Sequence, residues 1–223
     1  QNAAEFVTAN FSISRGQFSR KYFRGRSELL RLSTTDESYK RIVIDLQHPI
    51  QQGLVEAPEV GNHLVLAGPG SGKTKVLVHR IAYLIRVKRV APERIIALAF
   101  NRGAALSLKN RLVGLIGQDA KGVMVLTYHA MALRLTGTSL AAADRVDQAI
   151  DFQQVLRDAV ELLEGKSETF LDADEARDRL LQQYEYIFVD EYQDIDEMEY
   201  ALVSALAGRG SLGDDDHKLS IMA

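Results

Sequence analysis

The stretch Leu64-Val-Leu-Ala-Gly-Pro-Gly-Ser-Gly-Lys-Thr74 constrains the fold of this chain more than any other. A short apolar run leads into alternate glycines, and a lysine and a threonine then open an amphipathic stretch. Glycines at that density let successive backbone N–H groups converge on one anion, and the start of a helix adds its positive end. Such a turn belongs between a buried strand and a helix lying on it, so it predicts an α/β layer arrangement. Gly68, Gly70, Ser71, Gly72, Lys73 and Thr74 are the candidate phosphate-holding residues, with Lys73 directed at β- and γ-phosphates and Thr74 at Mg²⁺. Ala67 stands where the pattern usually has its first glycine, and a small residue fits there if its φ is negative.

The rest of the chain supports that layer arrangement. Leu64–Ala67, Ile95–Phe100, Val123–Leu126, Tyr186–Val189 and Leu219–Met222 are short runs, apolar almost throughout, as expected of strands covered on both faces of a parallel sheet. Between them, Val76, Leu77, Ile81, Leu84 and Ile85 recur at helical steps, as do Ala105, Leu108, Leu112 and Leu115, and Phe152, Leu156, Ala159 and Leu163. Asp172 and Glu175 have the spacing of a capping box that opens a further helix toward Leu181. Alternating strands and helices predict a doubly wound sheet with its ligand at the carboxyl ends of the strands.

One of those ends carries acids. Tyr186-Ile-Phe-Val-Asp190-Glu191 is a buried-strand pattern closed by two carboxylates, costly to bury unless a cation or a proton compensates. Beside a phosphate loop that cation is Mg²⁺, held by Thr74 and Asp190, while Glu191 serves as general base toward an attacking water. Lys73 and Glu191 are therefore the catalytic candidates. A neighbouring metal ligand and base favours hydrolysis over a phosphate-loop kinase; another phosphate-loop enzyme, a kinase or a regulatory ATPase, is the nearest alternative. A non-catalytic nucleic-acid-binding module is a third reading.

Composition narrows the rest. With no cysteine, disulfides, thiol nucleophiles and Cys-ligated zinc are excluded, and a reducing, cytoplasmic setting is expected. No apolar run approaches a bilayer span, so no membrane partner is expected. The five histidines are fifteen or more positions apart, without metal-ligand spacing. A net charge of −3 leaves nucleic-acid contact to local patches. Residues 1–48 supply one, with eight Lys/Arg against five Asp/Glu and aromatics interleaved in Phe18-Ser-Arg-Lys-Tyr-Phe-Arg-Gly-Arg26. Such a stretch is either a solvated, partly helical extension or a grip on single strands. Gln1 in place of Met suggests a fragment or a processed chain.

Five segments in order resemble the UvrD/Rep-type superfamily 1 DNA helicases. Ala67–Thr74 is similar to their first motif, and Val189-Asp-Glu-Tyr-Gln-Asp194 to their Asp-Glu-x-Gln-Asp motif. Leu98-Ala-Phe-Asn-Arg-Gly-Ala-Ala105 resembles segment Ia, and Leu126-Thr-Tyr-His-Ala-Met-Ala-Leu-Arg134 the Thr-Phe-His segment; both contact single-stranded DNA in that family. Pro49-Ile-Gln-Gln52 resembles the adenine-reading glutamine motif, which assigns that role to Gln52. The resemblance implies a RecA-like P-loop NTPase domain, a mostly parallel sheet flanked by helices, with ATP on one face and DNA across its top. Phe100, Asn101, Arg102, Thr127, Tyr128 and His129 would line the DNA track.

On that mapping residues 1–48 are a short N-terminal extension. Residues 49–223 are the ATP-binding motor domain, with 136–184 as a reduced form of the helical insertion the family places there. Gly103 stands where segment Ia usually has a lysine. Gly213-Asp-Asp-Asp216 reads as a solvated acidic loop, since the strand at 219–222 follows it instead of leading into it. The third motif and a second motor domain with its arginine fingers are expected beyond Ala223.

Overall fold

The computed structural model describes residues 35–59, 61–68, 70–138, 151–166, 183–208 and 219–223, and residues 5, 8, 9, 12, 13 and 15–22 of the N-terminal stretch. The expected helix at 172–181 and the acidic run at 213–216 lie outside the described residues.

In chain order the elements are α1 (Arg15–Tyr22), α2 (Asp36–Ile42), α3 (Pro49–Val55), α4 (Lys73–Arg86), β1 (Ile95–Ala99), α5 (Arg102–Ile116), β2 (Met124–Thr127), α6 (Tyr128–Thr136), α7 (Phe152–Leu163), β3 (Tyr186–Val189), α8 (Glu197–Leu206) and β4 (Ser220–Met222). The strands form one sheet in the order β2-β1-β3-β4, every pair parallel. Two cores follow from the pleat. Ile95, Ala97, Tyr186 and Phe188 join the cluster of α4 and α5, while Ile96, Leu98, Ile187 and Val189 join that of α6, α7 and α8. This is the RecA-like α/β arrangement, and it explains why β1 and β3 are apolar at every position: both faces are covered.

The run at Leu64 behaves differently from its expectation. His63 pairs with Met222 as an isolated parallel bridge, and the Val65 N–H donates to the Ala223 carbonyl at 2.7 Å. Leu64 and Leu66 are 62% and 86% exposed. The segment lies on the outer side of β4, and nothing among the described residues covers its outward face. Only the inward residue, Val65, packs on the core.

The packed unit also reaches upstream of residue 48. Ile42, Val43 and Leu46 are buried in the α4–α5 cluster. Arg80, 2% exposed on α4, ties down the stretch that follows α3: its guanidinium donates to the carbonyls of Val55, Ala57 and Pro58 at 2.6–2.8 Å. Three aligned acceptors satisfy the planar fork of a buried cation.

His79, one residue earlier, sits half-buried with its Nδ1–H donating to the Ile42 carbonyl at 2.6 Å. Burial pushes its pKa below the ordinary value of 6.5, and the Lys75 ammonium adds to that. A depressed histidine stabilises the fold above its unfolded pKa, and the contribution fades as pH falls toward the folded value. We expect the melting temperature of a His79→Gln variant to change less than that of the wild type between about pH 7.5 and about pH 5.5. Parallel curves from scanning calorimetry would contradict this.

Candidate functional site

The phosphate loop is shaped by two glycines that no other residue replaces without strain. Gly70 has φ 74° and Gly72 φ 89°, the left-handed region that L side chains seldom adopt. At Gly72 a Cβ would also stand 3.2 Å from Gln51 Nε2. Gly72 is the N-cap of α4 and supplies no side-chain cap, so the first N–H groups of that 14-residue helix are left for an anion. The Ser71 hydroxyl donates to the Gly68 carbonyl at 2.7 Å and ties the turn. Lys73 folds back over the loop, its Nζ donating to the Ala67 carbonyl at 3.1 Å. The loop and Arg111, Glu191 and Gln193 opposite enclose a cleft of about 400 Å³.

Beneath the loop the Thr74 hydroxyl donates to the Asp190 carboxylate, 3.0 Å from Oδ1 and 3.3 Å from Oδ2. The two residues are 116 positions apart in sequence, and parallel strands bring them to one edge of the sheet. Asp190 is 6% exposed. Burial raises its pKa, the adjacent Glu191 charge adds to the rise, and the Thr74 hydrogen bond and Arg111 oppose it. A buried carboxylate so disfavoured as an anion accommodates a cation readily. A hydroxyl beside a buried carboxylate is an all-oxygen donor pair, the ligand chemistry that Mg²⁺ takes. The donor set fits Mg²⁺.

Glu191 leaves β3 in the left-handed region, φ 53° and ψ 47°, a conformation that costs a non-glycine residue on the order of 1 kcal/mol or more. The turn is held by the Asp194 N–H, which donates to the Glu191 carbonyl at 3.0 Å. The Gln193 side-chain amide donates to Glu191 Oε2 at 2.5 Å. Strain here turns the carboxylate toward the loop cleft, away from the buried path of Asp190.

Residues 48–148 and 138–218, together most of the chain, match the UvrD/REP helicase N-terminal domain. The chain belongs to that family. It is 43% identical over 88 residues to the ATP-dependent DNA helicase PcrA of Bacillus subtilis, a match spanning 40% of this chain and 12% of the relative. It is 44% identical over 100 residues to DNA helicase II of Escherichia coli, 45% of this chain and 13% of that one. A PcrA helicase of Leuconostoc citreum is 28% identical over 233 residues, 71% of this chain and 31% of the relative. The chain thus spans roughly an eighth of the first two relatives' length.

Within this UvrD/REP domain the remaining site residues divide. Phe100, 49% exposed, stands past the end of β1, with exposed Arg102 in the first turn of α5. Asn101 caps α5, its Oδ1 accepting from the Ala104 N–H at 2.8 Å. Thr127 caps α6 likewise, accepting from the Ala130 N–H at 3.2 Å. The register sets Ala99 beside Thr127, so two helix N-termini open side by side at this sheet edge. Half-buried His129 meets Phe152 edge-on at 5.4 Å.

Two expectations need correction. Tyr128 is wholly buried, at 0% exposure, because it points from the strand end into the α6–α8 core, so it cannot line a track for DNA. Gln52 donates to the carbonyls of Val43 and Ile44 at 3.3 and 3.2 Å, on the face of α3 turned toward the upstream segment. Its neighbour Gln51 faces the phosphate loop, donating to the Ser71 carbonyl at 2.9 Å. Arg111, absent from the sequence-based set, borders the same cleft from the third turn of α5.

Proposed function

We propose that this chain is the ATP-binding motor domain of an ATP-dependent DNA helicase, which couples ATP hydrolysis to translocation on single-stranded DNA and to duplex unwinding. The observation that carries the reading is the 3.0 Å approach of Thr74 to Asp190 beneath the loop. Residues 49–223 form the motor domain, residues 1–48 an extension whose stretch 42–46 packs into the same core, and 136–184 a reduced helical insertion. The remainder of the helicase chain, with the second motor domain, is its partner. A cysteine-free chain without a membrane-spanning helix among the described residues suits a cytoplasmic enzyme.

The geometry supports the following roles. The loop N–H groups and Lys73 hold the β- and γ-phosphates, and Arg111 adds positive charge from the opposite wall. Gln51, not Gln52, stands at the loop, and adenine reading falls to it. Thr74 and Asp190 would hold Mg²⁺, which when bound would supply Lewis-acid polarisation of the phosphoryl oxygens. Glu191, oriented by Gln193, accepts the proton of the water whose oxygen bonds to the γ-phosphorus. The bond from that phosphorus to the bridging oxygen breaks, and ADP and phosphate leave. At the strand ends, Phe100 offers a stacking face and Arg102, with the N-termini of α5 and α6, meets phosphates.

Steady-state ATP turnover by the full-length protein, with and without single-stranded DNA, tests this reading. We expect turnover to rise with DNA. A protein indifferent to single strands, or one that moves phosphate from ATP to a small acceptor, would refute it.

A further inference from the structure

Phe152 carries no role in the site described above. The recurrence of Phe152, Leu156, Ala159 and Leu163 predicts one buried stripe along α7, and Leu156, Ala159 and Leu163 are buried as expected. Phe152 is not: it stays 42% exposed. A single exposed apolar side chain is ordinary on a protein surface. Its place is what sets this one apart.

β1 and β2 run parallel, and α5 and α6 open directly beyond their carboxyl ends. Phe152 is the first residue of α7, and its ring meets that of His129, the second residue of α6, at 5.4 Å and 85°. The start of α7 therefore lies at the same edge of the sheet as the starts of α5 and α6. Exposed Phe100 stands at that edge past the end of β1. Three rings thus gather at the strand ends, those of Phe100, His129 and Phe152. The perpendicular contact with His129 favours one orientation of the Phe152 ring, so less side-chain freedom is lost when a ligand stacks on it.

The start of α7 also selects which part of a nucleotide fits. Its cap is anionic: the Asp151 carboxylate accepts from the Gln153 and Gln154 N–H groups at 3.0 and 3.2 Å. That carboxylate offsets the positive helix end and repels phosphate, whereas α5 and α6 carry the neutral caps Asn101 and Thr127. The first turn, Phe152-Gln-Gln-Val155, holds no lysine or arginine. Arg157, in the next turn, donates to Gln154 Oε1 at 2.8 and 3.1 Å. A flat apolar ring behind an anionic cap suits an uncharged base.

We propose that Phe152 is a base-stacking residue, which extends the single-stranded DNA track from the strand ends onto α7 by contacting one unpaired base and no phosphate. The proposal rests on the helicase reading above, and names a DNA contact that lies in none of the segments resembling the family's motifs.

The test is Phe152→Leu in the full-length protein, with Phe152→Tyr beside it. Leucine keeps an apolar side chain against the core and removes the ring; tyrosine keeps the ring. Anisotropy of a fluorescein-labelled oligothymidylate is expected to show binding weakened about five- to hundredfold in the leucine variant, the loss of one base–aromatic stack. The tyrosine variant binds within about twofold of the wild type, since its π-face is intact. The slope of log affinity against log salt stays that of the wild type in both, because no phosphate contact is removed. In the wild type, 2-aminopurine moved along the strand is quenched at a position where the leucine variant leaves it bright. Unaltered affinity of the leucine variant overturns the proposal. So does a shallower salt slope, which would mean a phosphate contact, or equal loss in both variants, which would mean a packing role. A wild type that binds no single-stranded DNA overturns the helicase reading and this inference with it; normal wild-type binding that the leucine variant matches overturns this inference alone.

Discussion

Lys73→Ala in the full-length protein is expected to lower DNA-stimulated ATP turnover by a factor on the order of 10³, the effect of removing a preorganised charge from a developing phosphoryl transition state. The fold has little to lose. Among the described residues Lys73 Nζ makes one hydrogen bond, to the Ala67 carbonyl, and a single such bond contributes only about 1 kcal/mol. The catalytic loss is large because the ammonium is the positive side chain of the loop itself, suspended over the glycine turn by that bond. Phosphate release and thermal denaturation measured side by side separate the two effects. Wild-type turnover in the variant would take Lys73 out of the mechanism, and an unfolded variant would show that the Ala67 contact matters more than its geometry indicates.

Glu191→Gln is expected to slow hydrolysis by a factor of about 10² to 10⁴, the usual contribution of a positioned general base, while leaving nucleotide affinity close to that of the wild type. Glutamine preserves the size of the side chain, and its amide oxygen still accepts from Gln193. The left-handed backbone of residue 191 strains either residue alike. Single-turnover hydrolysis with a separate binding titration makes the distinction. Loss of binding in step with loss of rate would make Glu191 a nucleotide ligand instead of a base, and a rate within about twofold of the wild type would remove it from proton transfer.

Much of this arrangement could be read from the chain, for a physical reason. Ile95–Ala99 and Tyr186–Val189 are apolar at every position because helices cover both faces of β1 and β3. The helical recurrence from Val76 to Ile85 marks the buried face of α4. Once the strands are parallel, their carboxyl ends share one edge, so Thr74 and Asp190 had to approach. What escaped reading depends on orientation. Adjacent Gln51 and Gln52 differ by about 100° around a helix, and only the packing of α3 decides which faces the loop. Tyr128 has the residue type of a stacking platform, but the pitch of α6 turns it inward. Leu64 and Leu66 match a buried strand in composition, while their place outside β4 leaves them exposed. Arg111 lies twelve residues beyond the end of β1, where no local pattern ties it to phosphate. The start of α8 was legible and missed: Asp196 and Glu199 form a complete capping box.

The all-parallel register has a consequence for how such a domain comes into being. Every strand meets its neighbours only after a crossover, and β3 docks between β1 and β4 when some ninety residues separate it from β1. The glycine loop and its lysine are synthesised early, but the acid that answers Thr74 arrives 116 positions later. Closure of so long a segment is entropically slow. The Thr74–Asp190 contact therefore cannot build up piecemeal as the chain grows; it emerges late, as a signature of completed assembly.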